Sequence, residues 1–234
     1  MVTLYATVSG GTIDPKHQRS WLTDGRPGRP ARATSGTNAW TVTGSGNVNF
    51  VAVSNCNLDN GQTIAVSGGV SANLVVNRRG DNICKNPWTS VSLAAVSSLV
   101  FSVTANSNPV TIGEVFAGQA LELTRGTKPG GRRVKEYHVT SPQGWSSVPG
   151  YSPRQNRWRH SFDVTVTKAQ YEAIQLWEEQ TYNGVKPSVI VPDLEINDCF
   201  VVKFLGFDFV KQNPETYDIT LNFLEFARIE WNNA

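Results

Sequence analysis

The chain reads as mainly β: an N-terminal β-sandwich of jelly-roll type, then a smaller α+β domain with an antiparallel sheet and one main helix. Three observations lead there. Gly, Ser, Thr, Asn and Val crowd residues 1–124 in short runs bounded by turn residues, which is the composition of antiparallel β structure. A helical apolar period with a start and a stop occurs at Lys168–Tyr182, and nothing comparable precedes it in the first half. Between the two patterns lies RGTKPGGRRVK, residues 125–135, whose Pro129-Gly130-Gly131 can continue neither a helix nor a central strand.

The sandwich strands are expected at Trp40–Thr43, Asn47–Ser54, Gln62–Ser67, Asn73–Asn77, Thr89–Ala95, Leu99–Thr104 and Val110–Phe116. Asn60-Gly61 lies between two such runs and predicts a tight hairpin turn. Residues 125–135 are expected to be a basic linker or arm, and residues 136–234 the α+β domain. An irregular stretch, Ser141–Asn156, opens that domain and carries three prolines and Trp145. A strand at Ser161–Val166 follows the basic-aromatic lead-in GYSPRQNRWRH. Thr167 then suits an N-cap, with Gln170 completing a capping box, and Asn183-Gly184 a left-handed stop. Tyr171, Ile174 and Trp177 share one helix face and are expected to point at a sheet. Strands at Ser188–Val191, Asp198–Phe209 and Thr216–Phe226 complete the unit.

Charge is nearly balanced overall but unevenly placed. Residues 125–168 hold nine cations against two carboxylates, whereas residues 169–234 hold four against eleven. Poles of opposite sign let identical copies attract head to tail. The expected interface residues are Arg132, Arg133, Arg154, Arg157, Trp158 and Arg159, facing acids that include Glu172, Glu178, Glu179 and Asp193. Arginines interleaved with a tryptophan also suit single-stranded nucleic acid, but the acidic C-terminal half cancels the field, so no nucleic-acid partner is expected. His17, His138 and His160 are isolated, with His160 expected at a surface or edge. Cys56, Cys84 and Cys199 are too scattered for a metal cage and read as buried thiols, with a Cys56–Cys84 bridge left open. With no P-loop, nucleophile elbow or dinucleotide-binding glycine pattern, the expectation is a non-enzyme with no cofactor and no metal. Apolar runs are too short for a membrane span, and MVTLYATVSGG is not a secretory leader, so synthesis in a cytoplasm is expected.

Two resemblances add to this reading. SWLTDGRPGRPAR at Ser20–Arg32, followed by NFVAVSNCNL, resembles galactose-binding-like (discoidin) jelly rolls over Ser20–Leu123. In that family the early turn lies beside a cation site, and nearby loops hold sugar. Candidate glycan contacts are Arg78, Arg79 and Trp88, because guanidinium and aromatic groups suit sugar hydroxyls and faces. The C-terminal unit resembles the distal-tail and minor-tail (tail-tip) proteins of siphophages. The residues that carry this are Gly150, Tyr151, Arg154, Trp158, Phe162, Trp177, Pro187, Pro192, Cys199, Leu221, Phe223, Leu224 and Glu225. That resemblance implies a structural virion protein at the tail tip. It would form a homo-oligomeric ring, a hexamer in the family, that contacts tail-tube and tail-tip hub proteins and joins the tube to the tip or fibres. The alternative is a carbohydrate-binding adhesin module contacting a host-surface glycan.

Overall fold

The computed structural model describes residues 7–26, 29–77, 86–123, 131–137, 156–181, 186–191 and 199–226, with the side chains of 131–137 and 156–158 outside that description. The protein is mainly β, with antiparallel sheets and, among the described residues, one α-helix. It divides into two compact units: Met1–Leu121 with Lys186–Val201 and Arg228–Ala234, and Glu122–Val185 with Val202–Ala227. Residues 186–201, expected in the second domain, therefore belong to the first unit. Buried Asn86 explains this: its Nδ2 donates to the Cys199 carbonyl (3.0 Å), its own carbonyl accepts from the Cys199 N–H (3.1 Å), and its Oδ1 accepts from the Asn55 N–H (2.9 Å).

The first unit contains β1 (Val8–Ser9), a 3-10 turn (Arg19–Thr23), β2 (Ala31–Arg32), β3 (Asn38–Ser54), β4 (Thr63–Ser67), β5 (Ala72–Val75), β6 (Trp88–Val103), β7 (Thr111–Ile112) and β8 (Glu114–Gly118). Its large sheet runs β1-β3-β6-β4-β5, with β8 also on β3, while β2 and β7 form a separate pair. Where two short strands were expected on either side of Gly44-Ser45-Gly46, one long strand runs through. The glycines are absorbed in a register shift between Thr43 and Gly46, and Thr89–Ala95 and Leu99–Thr104 likewise merge into β6. At Asn60-Gly61 the Gln62 N–H closes a turn onto the Asp59 carbonyl, with Gly61 at φ +80°. This is a tight turn but not a hairpin, because β3 and β4 are separated in the sheet by β6. Trp40, Val48, Leu58, Ile64, Leu74 and Phe101 fill the core.

The second unit is organised on a sheet in the order β11-β12-β13-β10-β9. Its elements are β9 (Gly131–Tyr137), β10 (Asn156–Thr167), α1 (Lys168–Gln180), β11 (Ser188–Ile190), β12 (Phe200–Asn213) and β13 (Thr216–Glu225), with β11 falling in the first unit's span. Residues 131–135 are strand rather than linker or arm, paired to β10 from Gly131↔Phe162 to Tyr137↔Asn156. Arg157, Trp158 and Arg159 accordingly lie on a strand that begins at Asn156, not in a loop before it. The helix starts as expected: Thr167 Oγ1 accepts from the Gln170 N–H (3.3 Å) and Gln170 Oε1 accepts from the Thr167 N–H (3.0 Å). Strict alternation along β13 buries Tyr217, Ile219, Leu221, Phe223 and Glu225. Trp177 stacks on Phe204 (4.6 Å) and Tyr171 on Tyr217 (4.4 Å), so the helix covers that face through the residues its period selected.

Candidate functional site

The first unit's best-formed polar surface surrounds the turn after β1. Leu22, fully buried, anchors the 3-10 turn in the core, and half-buried Trp21 packs on the same core beside it. The Arg29 guanidinium lies 4.5 Å from the Trp21 ring centroid, and the His17 ring meets Trp21 edge-on at 5.8 Å. Arg19 Nη2 donates to the Gly11 carbonyl (2.8 Å), tying the turn to the neighbouring loop. His17 Nδ1 is 3.5 Å from Asp14 Oδ2. Asp14 Oδ1 accepts from the Lys16 N–H (2.9 Å), and that bond chiefly holds the carboxyl below its usual range. Arg29 itself is exposed and has no carboxylate partner among the described residues. Its fork of donors is therefore available over an aromatic face.

Behind this turn sits an unusual acid. Glu114, the first residue of β8 and paired with Ser54, is fully buried. Its Oε1 accepts from the Gly25 N–H (3.1 Å), while Oε2 has no partner. Burial pushes this carboxyl well above its ordinary range and the nearby Asp24 charge adds to the rise, against the Gly25 hydrogen bond. Asp24 is itself raised, first by lost hydration, with the Arg26 N–H and the Arg29 charge opposing. Glu114 Oε2 is thus a buried carboxyl oxygen left without a partner, close to the charge of Asp24. Among the described residues no group of three or more His, Cys, Asp or Glu gathers for a metal. Sequence reading singled out the Leu-Thr-Asp-Gly turn but not Trp21, Arg29 or Glu114. The signal for Glu114 was a lone acid inside the apolar run Val110–Phe116.

The residues proposed from sequence are placed as follows. Trp88 starts β6 opposite Ala52, and its ring stacks on Phe50 at 5.6 Å, so one indole face is taken up by packing. Arg78, Arg79, Cys84, Arg154 and Asp193 lie outside the described residues, while Cys56 and Cys199 are buried. Arg132, Arg133, Arg157 and Trp158 are placed by backbone register alone, and Arg159 is exposed on β10 between Val134 and Leu224. Glu178 is half-buried, with Oε1 3.8 Å from where a Cβ on Gly206 would stand, and Glu179 is exposed. His160, expected at the surface, is 3 % exposed with Nε2 3.1 Å from buried Glu225 Oε2. It sits on the core-facing side of β10, where a carboxylate on β13 satisfies it. No described helix is long and apolar enough to cross a membrane.

No protein-family model matches the chain, and no curated protein does. Solved structures do. They include the CBM32 of AlyQ in complex with 4,5-unsaturated mannuronic acid, 17% identical over 51% of this chain and 99% of that one, with a TM-score of 0.41. A pectin-binding carbohydrate-binding module is 11% identical over 53% and 96% of the two chains, TM-score 0.39. A fucose-binding module of Streptococcus pneumoniae is 12% identical over 51% and 96%, TM-score 0.39. The chain also matches SpGH29 at 12% identity and a TM-score of 0.40, spanning 28% of that longer chain. Likeness at this level is a general one of architecture and assigns no ligand.

Proposed function

We propose that this protein is a non-catalytic attachment protein whose first unit binds saccharide at the Trp21–Arg29 face. The observation that carries the reading is the Arg29 guanidinium held 4.5 Å over a core-anchored Trp21 ring. The indole holds the guanidinium in place by a cation–π contact, and the guanidinium donates in a fixed fork to hydroxyl or carboxylate oxygens. Anchoring by Leu22 and the Arg19 hydrogen bond lowers the ordering cost of binding. Glu114 accepts from the Gly25 N–H and so fixes the loop that carries Trp21. The test is a glycan array probed with the full chain. Retention of a saccharide class by the parent and by Trp88→Ala, with loss in Arg29→Ala, is expected. No retention of any saccharide, or full retention by Arg29→Ala, overturns the reading.

A second reading, a tail-tip ring subunit in a bacteriophage virion, rests on the C-terminal resemblance. One observation favours it: the second unit exposes Leu176, Leu205, Phe209 and Val210. Large apolar side chains exposed to solvent suit protein contact surfaces where they form one patch. The two readings are compatible, since an attachment protein needs both a ligand face and a seat in an assembly. Immunogold labelling of particles would place the chain at the tail tip, and labelling elsewhere or none would refute that seat.

A further inference from the structure

We propose that the saccharide bound at the Trp21–Arg29 face is an acidic one, received by Arg29 through an anionic group, the carboxylate of a uronic acid or a sulfate ester. The inference rests on the saccharide-binding reading above and adds the class of ligand to it. It starts from where the charge lies. Residues 14–32 hold five cations, Lys16, Arg19, Arg26, Arg29 and Arg32, against the carboxylates of Asp14 and Asp24. Residues 33–121 hold three cations against three carboxylates. The cationic excess of this span therefore falls in the segment that builds the turn around Trp21.

Four of these cations are open. Lys16, Arg26, Arg29 and Arg32 are exposed, and none lies within ion-pair distance of a carboxylate among the described residues. Arg26 and Arg29 share one turn, closed by the Arg29 N–H on the Arg26 carbonyl (2.8 Å). The acids nearby are engaged by their own loops. Asp14 Oδ1 accepts from the Lys16 N–H (2.9 Å), with Oδ2 3.5 Å from His17 Nδ1. Asp24 Oδ1 accepts from the Arg26 N–H (2.9 Å), and the charges of Arg29 and Arg26 both act on it. Glu114 lies fully buried behind the turn, its Oε1 on the Gly25 N–H, and does not face solvent.

The open groups are thus donors in excess of acceptors. A guanidinium or ammonium group donates and cannot accept, whereas each hydroxyl of a neutral sugar does both, so a neutral ligand leaves its own donors poorly matched here. An ionised carboxylate or sulfate only accepts, and a guanidinium meets its oxygens two at a time. Trp21 holds the Arg29 guanidinium 4.5 Å from its ring centroid, which reduces the side-chain freedom lost on binding. Arg26 needs no direct contact to contribute. A cation on the same turn raises the local potential and draws an anion toward the site.

The experiment uses the full chain and changes the ligand before the protein. Three sets of probes are compared by glycan array and then by titration calorimetry: uronic-acid oligosaccharides, the same oligosaccharides with their carboxyls reduced to alcohols, and sulfated oligosaccharides. An acidic set is expected to be retained, and removal of its carboxylate or sulfate to weaken binding by about tenfold or more. Which acidic set binds tells carboxylate from sulfate. Affinity should fall as salt rises from about 0.01 to about 0.1 M, where the Debye length shortens from about 30 to about 10 Å. Arg29→Lys, which keeps the charge and loses the fork, should bind the acidic ligand more weakly than the parent does. Acidic and neutral forms bound alike, or neutral glycans alone retained, with Arg29 still required, would overturn this inference and leave the saccharide reading standing. No saccharide retained, or single-stranded nucleic acid retained in its place, would overturn both. Should an Arg29 variant fail to fold, the comparison of acidic with reduced ligand on the parent decides.

Discussion

Replacing Glu114 with glutamine should change how the first unit's stability depends on pH. Glu114 is fully buried, has one oxygen without a partner, and is held by burial well above the ordinary glutamate value of 4.5. Below that value the carboxyl is protonated in both folded and unfolded chains and contributes no slope. As pH rises above 4.5 the unfolded chain releases the proton while the folded chain keeps it, so stability falls until pH passes the raised folded value. Within that window the loss is about 1.4 kcal/mol per pH unit. For a body of this size that is about 5 °C in Tm per unit. Glu114→Gln keeps an acceptor for the Gly25 N–H but cannot ionise. Near pH 4.5 it should lie within about 1–3 kcal/mol of the parent, the range for leaving one buried polar group unpaired. The difference should then shift in its favour as pH rises. Scanning calorimetry, read as parent minus variant, isolates this group from the other titrating residues, and exchange of the Gly25 amide reports the same event locally. Parallel pH slopes for parent and variant would refute the reasoning.

Three further outcomes test the second unit. Ile174→Ala, at a fully buried helix position, should cost about 2–5 kcal/mol in denaturant unfolding, and a cost below 1 kcal/mol would mean that the helix is not packed as described. Thr167→Ala removes the N-cap and half of the capping box, with an expected loss of about 1 kcal/mol, while Thr167→Asn should restore most of it. His160→Ala removes a hydrogen-bond partner of Glu225, whose side chain is 4% exposed, so it should destabilise by about 1–3 kcal/mol. A His160→Ala/Glu225→Leu double variant should recover much of that loss, and additive losses instead would show that the two side chains are uncoupled.

The helix was legible in the sequence because its signals are local: cap, capping box and period all lie within Thr167–Trp177. The mainly-β class was legible for the same reason. What escaped was set by distant partners. Gly44 to Gly46 look like a turn in isolation, yet β6 on the other side accepts a bulge and the strand continues. Residues 186–201 read as part of the C-terminal pattern, but buried Asn86, more than a hundred positions earlier, draws Cys199 into the first unit. His160 sits in a cationic stretch that suggested solvent, while its partner Glu225 lies 65 residues on. At the candidate site the Leu-Thr-Asp-Gly turn was visible. Trp21 and Arg29 gained meaning only when the fold laid one over the other.

Titration calorimetry of Trp21→Ala against the saccharide that the parent retains tests the central claim most directly. The account predicts a loss of affinity of about tenfold or more, equivalent to 1.4 kcal/mol, with the thermal transition of the first unit retained. Affinity equal to the parent's in a folded Trp21→Ala variant would contradict it.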